Sequence, residues 1–201
     1  TLPQTRSVNI SMCSILVTTK PLSDFEKVNK YLRLRGPDLT NKISVNGINF
    51  VHNLLHMTGE KQQQPFIDED VVCLFNGEIY NYKLFGDFST DGECLIPLYK
   101  EYGASFVQHL DGEYCLCLID FKNDLLLISS DIFSTKPLWY SFERDHFGIA
   151  SYESALKLLG FESAIKLKAN TTEIRKLSSF LTKPKTHSIY EFDLKQNKTS
   201  F

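Results

Sequence analysis

The stretch GEYCLCLIDFKNDLLLISSD, residues 112–131, holds two apolar runs separated by Lys122-Asn123-Asp124. Each run is too short for a helix of ordinary length, so the pair reads as a β-hairpin. The pattern recurs. ISVNGINFVHNLLHM, at 43–57, reads as a hairpin turning at Asn46-Gly47, since Asn-Gly between apolar runs is a strong hairpin signal. CSILVTT (13–19) and VVCLF (71–75) read as further strands, and 136–160 adds two short strands and a short helix. Helices are expected at 23–36, with Ser23 as N-cap, Glu26 completing a capping box and Gly36-Pro37 as the stop, and at 89–110, with Thr90 and Glu93 as a second box. From 161 the text turns polar and Lys-rich, the lysines of 166–185 read as a solvated face, and a last strand is expected at SIYEFDL, 188–194. Strands come in runs, with helices between the runs. That predicts an α+β fold with mostly antiparallel sheets, two of them, helices outside.

With 201 residues the chain is long enough for one domain with a sizeable core, or for two small ones, and a single domain of this size buries about 70% of its unfolded surface. A net charge of −2 gives no reason to expect nucleic acid or an anionic membrane as partner. The cysteines are Cys13, Cys73, Cys94, Cys115 and Cys117, an odd number mostly within apolar runs. They predict free thiols in a reducing, cytoplasmic compartment rather than a disulfide framework. No Cys/His cluster has zinc spacing, and no apolar run approaches the about 18 residues of a membrane span. Neither metal nor cofactor is expected.

Three places carry chemistry. Cys13 opens an apolar strand, where a cysteine is ordinarily a small buried hydrophobe. It also follows Met12. Loss of residues up to Met12 would give Cys13 a free α-amine of pKa about 8, and nucleophile and base would then sit on one residue. Asn76-Gly77 is a turn pair by composition, yet it follows the buried strand VVCLF without a polar spacer. A side-chain amide and a glycine N–H at a strand end are also two convergent donors, the arrangement of an oxyanion hole. Asp91 is either a first-turn acid favoured by the helix dipole or a carboxylate for a substrate ammonium.

Taken in order, MCSI (12–15), RGPD (35–38), VH with QP (51–65), FNGEIYN (75–81), STDGEC (89–94), the DxxxxKPLWY run (131–140) and ASYES (150–154) resemble the class II glutamine amidotransferase domains, and among them asparagine synthetase N-terminal domains. The similarity runs over most of the chain, and the segment VHNLLHM, with Leu54 in place of an arginine, resembles the eukaryotic asparagine-synthetase-domain-containing proteins. It implies an N-terminal-nucleophile hydrolase fold of two stacked antiparallel sheets flanked by helices. It implies hydrolysis of glutamine to glutamate and ammonia. By position it makes Cys13 the nucleophile, with its amine as base, and Asn76 and Gly77 the oxyanion hole. Glu78 and Asp91 take the glutamine α-amino end, and Arg35 to Asp38 form a structural loop near the site. It divides the chain into an extension or propeptide at 1–12 and the amidotransferase domain at 13–201.

Three departures stand out. Leu54 occupies the position of the arginine that clamps the substrate carboxylate in this family, and His52, His56 and Lys61 are the candidate replacements. Ser130-Asp131 replaces an Arg-Asp pair. No SGGxDS-type ATP loop occurs, so the chain alone does not activate aspartate. The expected function is a glutaminase domain feeding ammonia to an ATP-dependent synthetase domain or subunit, in the manner of asparagine biosynthesis. The alternative is a catalytically silent module of the same fold, kept for assembly or ligand binding. A third, unrelated Cys hydrolase would need His52 or His56 beside Cys13 as base.

Overall fold

The computed structural model describes residues 12–56 and 61–191. Two six-stranded antiparallel sheets stack face to face. The first has the strand order β10-β8-β9-β1-β3-β2 and the second β12-β11-β7-β6-β5-β4. β1 (Ser14–Thr18), β2 (Leu39–Val45), β3 (Ile48–Leu54), β8 (Trp139–Phe142), β9 (Phe147–Ala150) and β10 (Ile165–Lys166) make the first sheet. β4 (Phe66–Asp68), β5 (Val71–Ile79), β6 (Gly112–Asp120), β7 (Leu125–Ser130), β11 (Thr171–Lys176) and β12 (Lys185–His187) make the second. The expected α+β class and paired antiparallel sheets are therefore present.

Side-chain alternation sorts the core into three layers. Ile15, Val17, Phe50 and Ile149 of the first sheet meet Val72, Leu74, Cys115, Cys117 and Ile128 of the second between the sheets. The opposite face of the first sheet, with Leu16, Val51 and Ala150, packs under Val28 and Leu32 of α1 (Phe25–Arg35) and Ala155 and Leu156 of α3 (Glu153–Leu158). The outer face of the second, with Cys73, Phe75, Leu116 and Leu118, packs under Leu95, Leu98 and Tyr99 of α2 (Leu95–Tyr102). All five cysteines are unpaired, and all but the half-buried Cys13 are buried. No helix among the described residues is long and apolar enough to cross a membrane.

Local expectations hold where a turn dictates register. Asn46 and Gly47 both take positive φ, 49° and 78°, as a two-residue hairpin turn of the type matching strand twist requires. The 112–131 hairpin turns where expected, with Asp124 at φ 54°. Elsewhere the structure corrects the reading. Asp24, not Ser23, caps α1, its carboxylate accepting the Lys27 N–H at 3.4 Å. The expected helix at 89–110 is three pieces: a 3-10 turn at Asp91–Cys94, α2, and a second 3-10 stretch at Gly103–His109. Gly103, at φ 59°, stops α2. Of the expected capping box the Glu93 half is made, its carboxylate accepting the Thr90 N–H at 3.3 Å and the Ser89 N–H at 2.7 Å, while the Thr90 hydroxyl has no partner.

The final strand is at Lys185–His187, ahead of its expected place. Asn170 explains the shift: its side chain accepts the Tyr190 N–H and donates to the Tyr190 carbonyl, both at 2.8 Å. A side chain thus takes the backbone groups a neighbouring strand would have used. The remainder of that expected strand, 192–194, lies outside the described residues, as does Met57 of the first hairpin. The Lys-rich tail contains β11, which pairs with β7 over its whole length.

Candidate active site

β5 does not end at Phe75. It runs through Asn76-Gly77 to Ile79, paired residue for residue with β6. Partners outside the ladder hold its free edge. Phe75 N–H donates to the Gln64 side-chain carbonyl at 2.7 Å, and Ile79 N–H donates to Asp91 Oδ2 at 2.8 Å. N–H groups alternate sides along a strand. The Gly77 N–H therefore points to the same edge, between Gln64 and Asp91. A Cβ at Gly77 would meet the Glu113 carbonyl oxygen at 2.0 Å, so only glycine lets the two strands stay paired here.

A cavity of about 270 Å³ opens at this edge. Cys13, Asn76, Gly77, Glu78, Asp91 and His56 all line it, together with Met12 and Leu54. These residues are far apart in sequence, from Met12 to Asp91, and come from strands of both sheets and the segments next to them. The alternation explains the meeting. Cys13 precedes Ser14 of β1 on the face of Ile15, and Asn76 follows Leu74 of β5, so each extends the layer between the sheets to its end.

The Cys13 thiol has two hydrogen-bond partners, both backbone groups of Leu55. The Leu55 N–H donates to Sγ at 3.4 Å, and the thiol donates to the Leu55 carbonyl at 3.8 Å. Burial pushes its pKa above the ordinary thiol value, opposed by the Leu55 hydrogen bond and the Arg35 charge. Arg35 Nε donates to the Cys13 carbonyl at 3.2 Å, and its guanidinium lies over the Tyr152 ring at 5.1 Å. The loop after α1 is held as tightly: a Cβ at Gly36 would meet the Asn53 carbonyl at 2.1 Å. Asp38 Oδ2 accepts the His56 N–H at 2.7 Å. Residues 35–38 thus brace both Cys13 and the strand end bearing His56.

Asn76 is 2% exposed, and its Nδ2 makes no full hydrogen bond, its side chain reaching only the weakly bonding Cys115 thiol across the ladder. A buried amide donor so weakly paired costs up to about 1–3 kcal/mol, and this one stands in the wall of the cavity. Asp91 is half-buried, and burial, with the Glu78 charge adding, raises its carboxyl pKa. Glu78 is exposed at the mouth.

His52 is not among the lining residues. It is 1% exposed, on the face shared with Ile15, and burial lowers its pKa to about 4. Lys61 does not line the cavity either. Sequence reading passed over Gln62, Gln64 and Lys136, which do. Gln64 and Lys136 lay inside quoted motifs. What hid their role is that neither type announces a site by itself. Asp131, of the Ser130-Asp131 pair, is buried and accepts the Tyr114, Phe133 and Thr135 N–H groups at 3.1, 2.7 and 3.0 Å. It shapes the turn that delivers Lys136.

The glutamine amidotransferase domain model matches residues 12–196. The chain is 31% identical, over 74% of its length, to a Schizosaccharomyces pombe protein named "Probable asparagine synthetase [glutamine-hydrolyzing]", of which the match covers 30%. It is 27% identical, over 74% of its length, to asparagine synthetase [glutamine-hydrolyzing] 2 of Arabidopsis thaliana, covering 28% of that protein. The chain spans about a third of the length of such relatives. Among solved structures, the glutamine phosphoribosylpyrophosphate amidotransferase of B. subtilis superposes with a TM-score of 0.60 at 15% identity, over 92% of this chain and 44% of that one. That likeness establishes the N-terminal-nucleophile hydrolase fold. The chain belongs to the glutamine amidotransferase domain family, homologous to the glutamine-hydrolysing domains of asparagine synthetases.

Proposed function

We propose that the domain hydrolyses the side-chain amide of glutamine, with Cys13 as nucleophile, and passes the ammonia to an ATP-dependent synthetase domain or subunit in the cytoplasm. The boundary of the working domain is then the Met12–Cys13 bond. Its cleavage frees the Cys13 amine.

Burial keeps the thiol protonated, so a base must take its proton as attack begins. Neither hydrogen-bond partner of the thiol is an imidazole, which leaves that work to the α-amine. Sulfur bonds to the amide carbon and the carbonyl oxygen becomes an oxyanion. Asn76 Nδ2 and the Gly77 N–H are the donors for it. The amine returns the proton to the leaving nitrogen, ammonia departs and a thioester remains. Water, deprotonated by the same amine, then attacks the thioester, and glutamate and free thiol result. Glu78 and Asp91 hold the substrate ammonium. Its charge relieves the burial that raises the Asp91 pKa.

The observation that carries this reading is the buried Asn76 amide, its Nδ2 without a full hydrogen bond, in one cavity with Cys13. The silent-module reading is favoured by Met12, which lines the same cavity and keeps the Cys13 nitrogen in a peptide bond. One experiment separates them. A protease site placed ahead of Cys13 releases a chain that begins with it, and ammonia release is measured with Cys13→Ala beside it. Turnover that needs both cleavage and the thiol supports the enzyme. A folded, cleaved chain without turnover at millimolar glutamine leaves the silent module.

A further inference from the structure

The charges around the cavity say which end of a substrate it accepts. Glu113 stands directly opposite Glu78 across the β5–β6 ladder, an unfavourable like-charge pairing that needs a counter-ion. Lys136 supplies it: its Nζ lies 3.2 Å from Glu113 Oε2, and the side chain is 15% exposed. Asp91 is the third carboxylate of the group. The one lysine among the described lining residues is therefore committed, among three carboxylates. Leu54 ends β3 of the other sheet, 9% exposed, and presents apolar surface to the cavity, while the Phe66 and Phe75 rings line it on the carboxylate side, packed against Gly92 next to Asp91. An ammonium is welcome in such a place. A carboxylate would meet like charges and the rings beside them on the β5 side, and the apolar Leu54 at the end of β3.

Resting on the glutaminase reading, we infer that the substrate is a glutamine whose α-carboxyl is already neutral, capped as an amide, with its α-ammonium free. A small glutamine amide and the N-terminal glutamine of a peptide share that chemistry. The reaction balances as for glutamine: the side-chain amide nitrogen leaves as ammonia, water supplies the oxygen, and a capped glutamate remains.

The test compares kcat/KM for ammonia release by the Cys13-first chain with L-glutamine, glutamine α-N-methylamide and a glutaminyl tripeptide. The methylamide should exceed glutamine by at least tenfold, and Leu54→Arg should shift that ratio towards glutamine by ten- to a hundredfold. A tripeptide as good as the methylamide assigns the site to peptide N-termini, and a poor tripeptide assigns it to small amides. Glutamine equal to or better than the methylamide overturns the inference. So does a Lys136→Met or His56→Leu chain that loses glutamine turnover selectively, because that side chain would then be a carboxylate clamp. If no amide is turned over, the glutaminase reading falls. The pocket is then judged by equilibrium binding to the Cys13→Ala chain: tighter binding of the methylamide than of glutamine supports the inference, and the reverse overturns it.

Discussion

The chain contains the dipeptide Asn-Gly twice, at 46–47 and 76–77, and folds it in two opposite ways. Asn46-Gly47 is exposed, both residues sit at positive φ, and a Cβ at Gly47 would meet nothing within 4 Å. Asn76-Gly77 lies within an extended strand, with Asn76 buried and Gly77 pressed against β6. In the hairpin, glycine is required by its own backbone angle. In the strand the angle, φ 153°, also favours glycine, and a neighbour, the Glu113 carbonyl, adds the sharper demand. The difference teaches that one dipeptide turns a chain where both flanks pair with each other, and stays extended where both flanks pair with a third strand.

The comparison can be broken at the chemistry first. In the Cys13-first chain, Asn76→Ala should lower kcat by about 10²–10³-fold, the effect of losing one oxyanion donor. Thermal unfolding should change little, because Nδ2 has at most its weak contact with the Cys115 thiol to lose. A large loss of stability without a loss of rate would place Asn76 with the structural residues instead.

Gly77→Ala comes next. The Cβ would sit 2.0 Å from a backbone oxygen that belongs to the paired strand, and overpacking of this kind costs about 3 kcal/mol or more. Urea unfolding measures it. A tolerated alanine would show that β6 yields, and that the close approach is not what demands glycine.

His52 tests the other region, on the strand that follows the first Asn-Gly. Its folded pKa, about 4, lies below the ordinary 6.5. The neutral form is therefore the folded form. The stability it secures is fully present above pH 6.5 and is lost as pH falls towards 4. The loss amounts to about 3 kcal/mol at most. Urea titrations across this window should show the decline, and His52→Gln should flatten it. An unchanged pH slope would mean that the imidazole reaches water.

The smallest effect belongs to Gly47→Ala. The space is open, but φ is 78°, and a left-handed backbone costs an L-residue about 1–2 kcal/mol. Turnover by the Cys13-first chain should not change, since this turn is not part of the cavity wall.

Legibility followed the same divide. Both hairpins were readable because their turns and their apolar runs are adjacent in sequence. β11 was not: TTEIRK looks like a solvated stretch. In the fold its Glu173 accepts the Tyr140 hydroxyl at 2.8 Å and pairs with Arg175 at 2.9 Å, so charge is buried by mutual satisfaction rather than avoided. β4 is three residues and was likewise silent. At the site, Cys13, Asn76, Gly77, Glu78, Asp91 and His56 were named from motifs and meet in one cavity, while His52, equally plausible as a string, turned inward.

Sequence alone determined the class of fold, the turns at 46–47 and 122–124, and the residue types able to do amide chemistry, because these depend on neighbours within a few positions. Only the tertiary structure decided which face of β3 carries a histidine into the core, which edge of β5 turns the Gly77 N–H to the cavity, and which lysine is already committed to a carboxylate. Those are properties of two sheets in register. A period of two puts a side chain on a face, but the partner across the gap determines what that face meets.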